Sequence, residues 1–130
     1  MKSLLFILGV ITAMAGCKDT SVKPSNIIGT WELRHYSGTI AGVNKELPKG
    51  NGTLLKFNAD STYQHFSNFK VENNGRFKIV KNGIDWGNEK YDAIYLGESG
   101  DANIFSIRAD SLVISNTYAD GVTSVYMRKD

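Results

Sequence analysis

The strongest constraint on the fold is the alternation of apolar and polar residues in short runs. Trp31 and Leu33 alternate with Glu32 and Arg34, and similar runs recur from residue 28 to the end of the chain. Side chains of a strand point alternately to its two faces, so this period of two predicts strands with one buried face. No stretch after residue 26 keeps a helical period beyond two turns. The sequence therefore predicts an all-β fold.

Residues that favour turns separate these runs at a spacing of about ten residues, among them Asn73-Asn74-Gly75 and Asn82-Gly83. Sequence neighbours are therefore expected to pair as antiparallel hairpins. Eight short strands joined in this way fit a small up-and-down barrel, which leaves no exposed sheet edge. The predicted strands are 28–37, 53–58, 62–69, 75–81, 83–96 (with an interruption allowed), 103–108, 111–118 and 122–129.

One connection in this scheme is long. Residues 38–52, GTIAGVNKELPKGNG, are rich in glycine, lysine and asparagine. Connections of this length inside a compact domain are often lids or binding loops, and a surface excursion without a function is an equal alternative.

The N-terminus has the layout of a secretory signal. Lys2 precedes about a dozen apolar residues, which are too few for a membrane span of roughly 20 residues. Small residues then lead to Cys17, the only cysteine. Met14-Ala15-Gly16-Cys17 resembles the lipobox of bacterial lipoproteins, in which the signal is cleaved before the cysteine and the cysteine is acylated, with palmitate among its lipids. The resemblance implies a signal peptide over residues 1–16, a lipidated Cys17 that starts a flexible tether over 17–26, and an outer-membrane protein facing the periplasm or the cell surface.

Composition limits what the rest of the chain can be. The 130 residues include 15 Lys and Arg against 13 Asp and Glu, without a basic cluster, so nucleic acid is not an expected partner. Residues 27–130 suffice for one domain with one core. With its single cysteine acylated, the mature chain has no disulfide to stabilise it.

Four short motifs follow one another through the predicted barrel. They are Gly29-Thr30-Trp31, then Phe57 to Thr62 (FNADST), then Asp110-Ser111-Leu112, and last Tyr126-Met127-Arg128. Their order resembles the small lipocalin-like domains of Bacteroidetes lipoproteins, which belong to the calycin type. The resemblance implies that Trp31 closes one end of the barrel and that the cation of Arg128 packs on its indole ring, joining first strand to last.

The predicted inward faces supply a candidate ligand-binding lining. An eight-stranded barrel is just wide enough to be filled by side chains or to hold one small ligand, and the sequence leaves both alternatives open. His35 and His65 would add polar contacts to the lumen, or else lie partly exposed on their strands. The predicted lining residues are Leu33, His35, Leu55, Phe57, Tyr63, His65, Phe77, Ile79, Phe105, Ile107, Leu112, Ile114 and Tyr126.

Motifs for catalysis or cofactors do not occur in the sequence. Glu32 and His35 have helical ligand spacing, but on a strand they point to opposite faces. No nucleophile elbow, phosphate loop or zinc motif is found. We therefore expect no cofactor, no metal and no enzymatic activity. Ser61 and Ser111 fit an O-glycosylation pattern known in Bacteroidetes, although both have an explanation as turn residues.

Two functions remain from the sequence. The first is binding of a small hydrophobic or amphipathic ligand beside the 38–52 connection. The alternative is a non-enzymatic interaction module, in which a filled barrel docks on another envelope protein through its loops.

Overall fold

A computed structural model describes residues 27–38 and 42–129, and this part of the chain is all β, as predicted. The predicted signal peptide (1–16), the tether (17–26) and Cys17 lie outside the described residues. The strands are β1 (Gly29–Gly38), β2 (Asn44–Glu46), β3 (Leu54–Phe57), β4 (Thr62–Ser67), β5 (Lys70–Trp86), β6 (Glu89–Leu96), β7 (Ala102–Arg108), β8 (Ser111–Asn116) and β9 (Val122–Lys129).

The sheet closes on itself through β1. This strand pairs with β9 along one edge, and with β3 and then β2 along the other. All neighbouring pairs are antiparallel, so β1 and β3 to β9 form the predicted eight-stranded up-and-down barrel. The sequence prediction of the fold class is confirmed. Strand β2 is an addition to it: its three residues are exposed and form a hairpin with the end of β1, inside the connection that was predicted as a loop.

The strand boundaries between residues 62 and 96 differ from the prediction. Asn73-Asn74-Gly75 and Asn82-Gly83 were expected to be turns, but both lie within the single 17-residue strand β5. Asn82 does adopt a positive φ of 51°, and its N–H donates to the Asp92 carboxylate at 2.9 Å. The pairing of β5 with β6 shifts at this point, so the chain forms a bulge and continues instead of reversing.

The described residues form an apolar core inside the barrel. Phe57 and Phe77 meet edge to face, with ring centroids 4.9 Å apart, a geometry that aromatic pairs favour. Two partly buried residues that the lining prediction did not include, Ile28 and Leu96, also pack against this core. The buried members of the core are Ile27, Trp31, Leu55, Phe57, Tyr63, Phe77, Ile94, Phe105, Leu112 and Tyr126.

A bulge in β1 overturns the prediction for His35. Leu33 is opposite Tyr126, but His35 is opposite the next residue of β9, Val125, so Arg34 is an extra residue in β1. The bulge breaks the simple alternation, and His35 comes to lie on the outer face. There its ring contacts the Asn44 side-chain oxygen and lies 3.9 Å from Glu46, both on β2. His35 therefore does not line the interior.

Candidate functional site

The end of the barrel at which β1 begins is closed by Trp31. Its side chain is fully buried, and its indole N–H donates to the Ile27 carbonyl at 2.8 Å. The Arg128 guanidinium lies 4.1 Å from the ring centre and donates to the Ile28 carbonyl at 3.1 Å. The two residues implied by the family resemblance are thus in contact, and together with the segment before β1 they cover this end.

Most of the predicted lining residues converge inside the barrel. Seven of them are buried in the core, namely Leu55, Phe57, Tyr63, Phe77, Phe105, Leu112 and Tyr126. Leu33, Ile79, Ile107 and Ile114 are partly buried and pack against it. Burial raises the pKa of the Tyr126 hydroxyl above its usual value, while a hydrogen bond with Ser124 acts in the opposite direction. Alternation alone was sufficient to find these residues, because the strand segments that carry them have no register shift within them.

His65 lies at the edge of this interior. It is opposite Leu55 in the β3–β4 pairing, which puts both side chains on the inner face. Its Nδ1 lies 3.2 Å from the Glu72 carboxylate, and its side chain remains 31% exposed. Glu72 is an extra residue of β5 at a second bulge, beside Asn73, the partner of His65. His65 is thus a polar, accessible group on the inner face.

Other residues face the barrel interior although the alternation pattern did not predict it. The register places Tyr36 and Ser124 in one row with the predicted residues Ile114 and Phe105, across four strands. Asn103 and Asn116 form a second row with Ile79 and Ile94. Tyr36 was missed because the Arg34 bulge reverses its face, and the other polar residues because polar positions were read as outward. All are half-buried except the core residues Phe105 and Ile94.

These rows lie toward the end of the barrel where β1 finishes, which we call the open end. Strand directions alternate around the barrel, so the connections β1–β2, β4–β5, β6–β7 and β8–β9 all lie there. The Tyr118 hydroxyl donates to the Asp101 carboxylate and so joins two of these connections. That hydrogen bond and the negative charge of Asp101 raise the pKa of Tyr118. Apolar side chains are also exposed at this end, including Val43, Tyr118 and Val122.

The two predicted glycosylation residues differ in access. Ser61 is exposed and has a positive φ of 66° in the turn between β3 and β4. Ser111 is half-buried and pairs with Arg108 on one side and Met127 on the other. Of the two, Ser61 is the more accessible to a modifying enzyme, and glycosylation stays a prediction.

No site with metal-ligand geometry appears within residues 27–38 and 42–129, where no three His, Cys, Asp or Glu side chains converge. Over the same residues, every buried side-chain nitrogen or oxygen has a hydrogen-bond partner. The described part of the chain includes no helix able to cross a membrane.

Comparison of this chain with known protein families, with curated proteins and with solved structures found no match.

Proposed function

We propose that this chain is a lipid-anchored envelope protein of the lipocalin-like kind, whose barrel binds one small amphipathic ligand at its open end. The observation that supports this most directly is the difference between the two ends. Trp31 and Arg128 cover one end, whereas the inner face at the other end carries half-buried side chains such as Ile114, Tyr36 and Ser124.

The lining suggests the chemistry of the ligand. Apolar residues lie deeper in the barrel, and Asn103, Asn116 and His65 lie on the inner face nearer the rim. Small-molecule sites are usually mostly apolar, with a few polar groups that fix orientation. A ligand with an apolar body and a polar end would place each part against matching residues. The function requires no reaction, in keeping with the sequence.

Adjacent residues of β8 provide a matched test of this site. Ile114 faces the interior, whereas its neighbour Val113 pairs with Val125 on the outer face. Native mass spectrometry of the mature protein, purified from its own host, should reveal extra mass of a few hundred daltons, a size that suits pockets of roughly 300–1,000 Å³. Ile114→Trp should remove this mass because the indole fills the open end, and Val113→Trp should retain it.

The same experiment can reject the proposal. Extra mass that persists in Ile114→Trp, with both variants folded by circular dichroism, would place the ligand elsewhere. A wild-type protein that carries no additional mass would contradict cargo binding.

The anchor is tested separately at Cys17. We expect the wild-type chain to incorporate labelled palmitate and to sediment with membranes. Cys17→Ala should abolish labelling, because the thiol is the modified group. Labelling that survives the substitution would contradict lipidation at this residue.

The exposed side chains at the open end favour a second candidate function. Val43, Val71, Tyr118 and Val122 are each more than a third exposed, and all belong to or flank connections at this end. In this alternative the barrel is filled by its own side chains and docks on another envelope protein. Crosslinking in intact cells followed by purification distinguishes docking from ligand binding. The double variant Tyr118→Ser with Val122→Ser would reduce a crosslink to a partner protein, but it would leave a bound small molecule in place.

A further inference from the structure

A second site lies on the outer surface of the barrel, away from the open-end lining. It is a cleft of about 350 Å³ between the segment 47–53 and the end of β9. We call it the Glu32 cleft. Its lining residues are Glu32, Arg34, Lys49, Gly50, Met127, Arg128 and Lys129.

Glu32 fixes the geometry of this cleft. It lies on the outer face of β1, yet it is only 4% exposed because the segment 47–53 covers it. Its carboxylate accepts a hydrogen bond from the Gly50 N–H at 2.9 Å. Asn51 secures the same segment by donating to the Leu33 carbonyl at 2.8 Å. The cleft is therefore a built feature and not a chance gap between mobile side chains.

The cations around Glu32 have defined positions, but they do not form hydrogen bonds with its carboxylate. Arg34 Nη1 and Lys129 Nζ each lie 3.9 Å from a Glu32 carboxylate oxygen, which is beyond hydrogen-bond distance. Arg34 is held by a hydrogen bond from its Nε to the Leu47 carbonyl at 3.0 Å. Lys129 Nζ also lies 5.7 Å from the centre of the Phe69 ring. Two oriented cationic groups thus face one carboxylate.

Charge in the cleft is unbalanced. Among the described residues, Arg34, Lys49 and Lys129 line it together with Arg128, whose guanidinium packs on Trp31, and Glu32 is the single acidic residue. A lone carboxylate cannot neutralise this set, whereas a second anion between Arg34 and Lys129 would accept hydrogen bonds from both. Charge-assisted bonds of this kind are the stronger ones, and guanidinium groups match the geometry of phosphate oxygens.

We propose that the Glu32 cleft binds a phosphate-type oxyanion, held by Arg34 and Lys129. The proposal goes beyond ligand binding at the open end and does not depend on it. The volume leaves room for a phosphate with a small organic substituent.

The place of the cleft in the fold suggests two sources for such a group. Lys129 is opposite Thr30 at the start of β1, and Arg128 donates to the Ile28 carbonyl, so the cleft lies near the point where the chain enters the barrel. If Cys17 is lipidated, as proposed above, a tether of about ten residues would keep this region near a bilayer. The phosphate would then belong to a lipid headgroup; otherwise it belongs to a soluble phosphate ester.

The test uses the full-length chain in micelles of a neutral detergent, observed by ¹H–¹⁵N NMR. Inorganic phosphate is titrated in one arm, and phosphatidylglycerol is added to the micelles in the other. We expect saturable shifts of the Gly50 amide and the Arg34 Nε–H in at least one arm, while chloride at equal ionic strength gives none. A response to inorganic phosphate alone indicates a soluble ligand, and a response to phosphatidylglycerol alone indicates a headgroup.

Three variants make the test specific. Arg34→Gln with Lys129→Gln should weaken binding at least about tenfold, since it removes both charge-assisted contacts. Lys81→Gln with Lys90→Gln removes the same charge elsewhere and should leave affinity within about twofold. Glu32→Gln keeps an acceptor for the Gly50 N–H but removes the competing negative charge, so it should tighten binding about threefold or more.

The two double variants remove equal charge and so separate a site from general attraction to a basic surface. A gain in affinity in Glu32→Gln guards against a trivial loss of folding, because it needs a folded cleft. The proposal is overturned if neither phosphate nor phosphatidylglycerol gives saturable shifts. It is equally overturned if the two double variants weaken binding alike.

Discussion

Arg128 and Trp31 lie directly opposite each other where β9 pairs with β1, and the guanidinium carbon is 4.1 Å from the centre of the indole ring. The pair joins the first and last strands at the seam where the barrel closes. The same guanidinium donates to the Ile28 carbonyl, so one side chain fixes the last strand, the first strand and the segment before it.

The first prediction concerns this seam. Arg128→Met keeps much of the aliphatic volume but removes the cation and the hydrogen bond to Ile28. We expect the free energy of unfolding to fall by about 1.5–3 kcal/mol, from a cation–π contact of about 0.5–2 kcal/mol and one hydrogen bond of about 1 kcal/mol. Urea denaturation measures the change. Arg108→Met, at an exposed position of β7, is the control and should change stability by less than about 0.5 kcal/mol. If both variants lose the same free energy of unfolding, the contact between Arg128 and Trp31 is unimportant for stability.

The second prediction concerns the turn between β4 and β5. Phe69 has a φ of 64° and follows Asn68 at 49°, so both central residues of this two-residue turn are left-handed. A bulky side chain is strained there by about 1–2 kcal/mol because its Cβ crowds the backbone. Phe69→Gly should therefore be more stable than Phe69→Ala by about 1 kcal/mol in thermal or urea unfolding, although both remove the ring that faces Lys129. If alanine proves as stable as glycine, the turn is not under backbone strain.

The third prediction uses the bulge of β5. A Cβ added to Gly83 would lie 2.8 Å from the Ala93 Cβ and 2.9 Å from the Val80 carbonyl oxygen, and Ala93 is fully buried. Gly83→Ala should lower the free energy of unfolding by about 1–3 kcal/mol, as overpacking usually does. At Gly38 the nearest atom to an added Cβ is 3.6 Å away, so Gly38→Ala should leave stability unchanged or slightly raised. A tolerated Gly83→Ala would show that β5 can shift away from β6.

The fourth prediction is a pH dependence at Asp60. The Thr62 hydroxyl donates to this carboxylate at 2.6 Å and the Thr62 N–H at 3.0 Å, and these bonds hold the pKa of Asp60 below its ordinary value of 3.8. The unfolded chain takes up the proton first, so the contribution of Asp60 to stability is complete above about pH 3.8. It is lost as the pH falls through the lower folded-state pKa.

A carbon-detected NMR titration of the Asp60 carboxyl measures this pKa. The midpoint should lie below 3.8 in the wild type and move back toward it in Thr62→Ala, which removes the hydroxyl donor. An unchanged midpoint in the variant would mean that the hydroxyl has no part in the shift.

Sequence and structure agree where strands are regular. The inward positions of Leu55, Phe57, Phe105 and Leu112 follow from period-two alternation, since each lies in a strand segment without a register shift. They disagree at bulges. Arg34 shifts the faces of His35 and Tyr36, and Asn82-Gly83 extends β5 where a turn was predicted. A bulge depends on how two strands pair, so a single-strand pattern carries little sign of it.

The Glu32 cleft could not be predicted for a related reason. Glu32, Gly50 and Lys129 are far apart in sequence, and an outward glutamate on a strand gives no indication that a later segment will fold across it.

The order of apolar and polar residues by itself determined that the described chain is all β, because side-chain alternation is a local property of each strand. The turn residues between the runs predicted the antiparallel hairpins of the barrel. Only the tertiary structure decided which end of the barrel is covered, which side chains change face, and which charges meet on the outer surface. Those features arise from register and from long-range contacts, which depend on the folded arrangement of several strands at once.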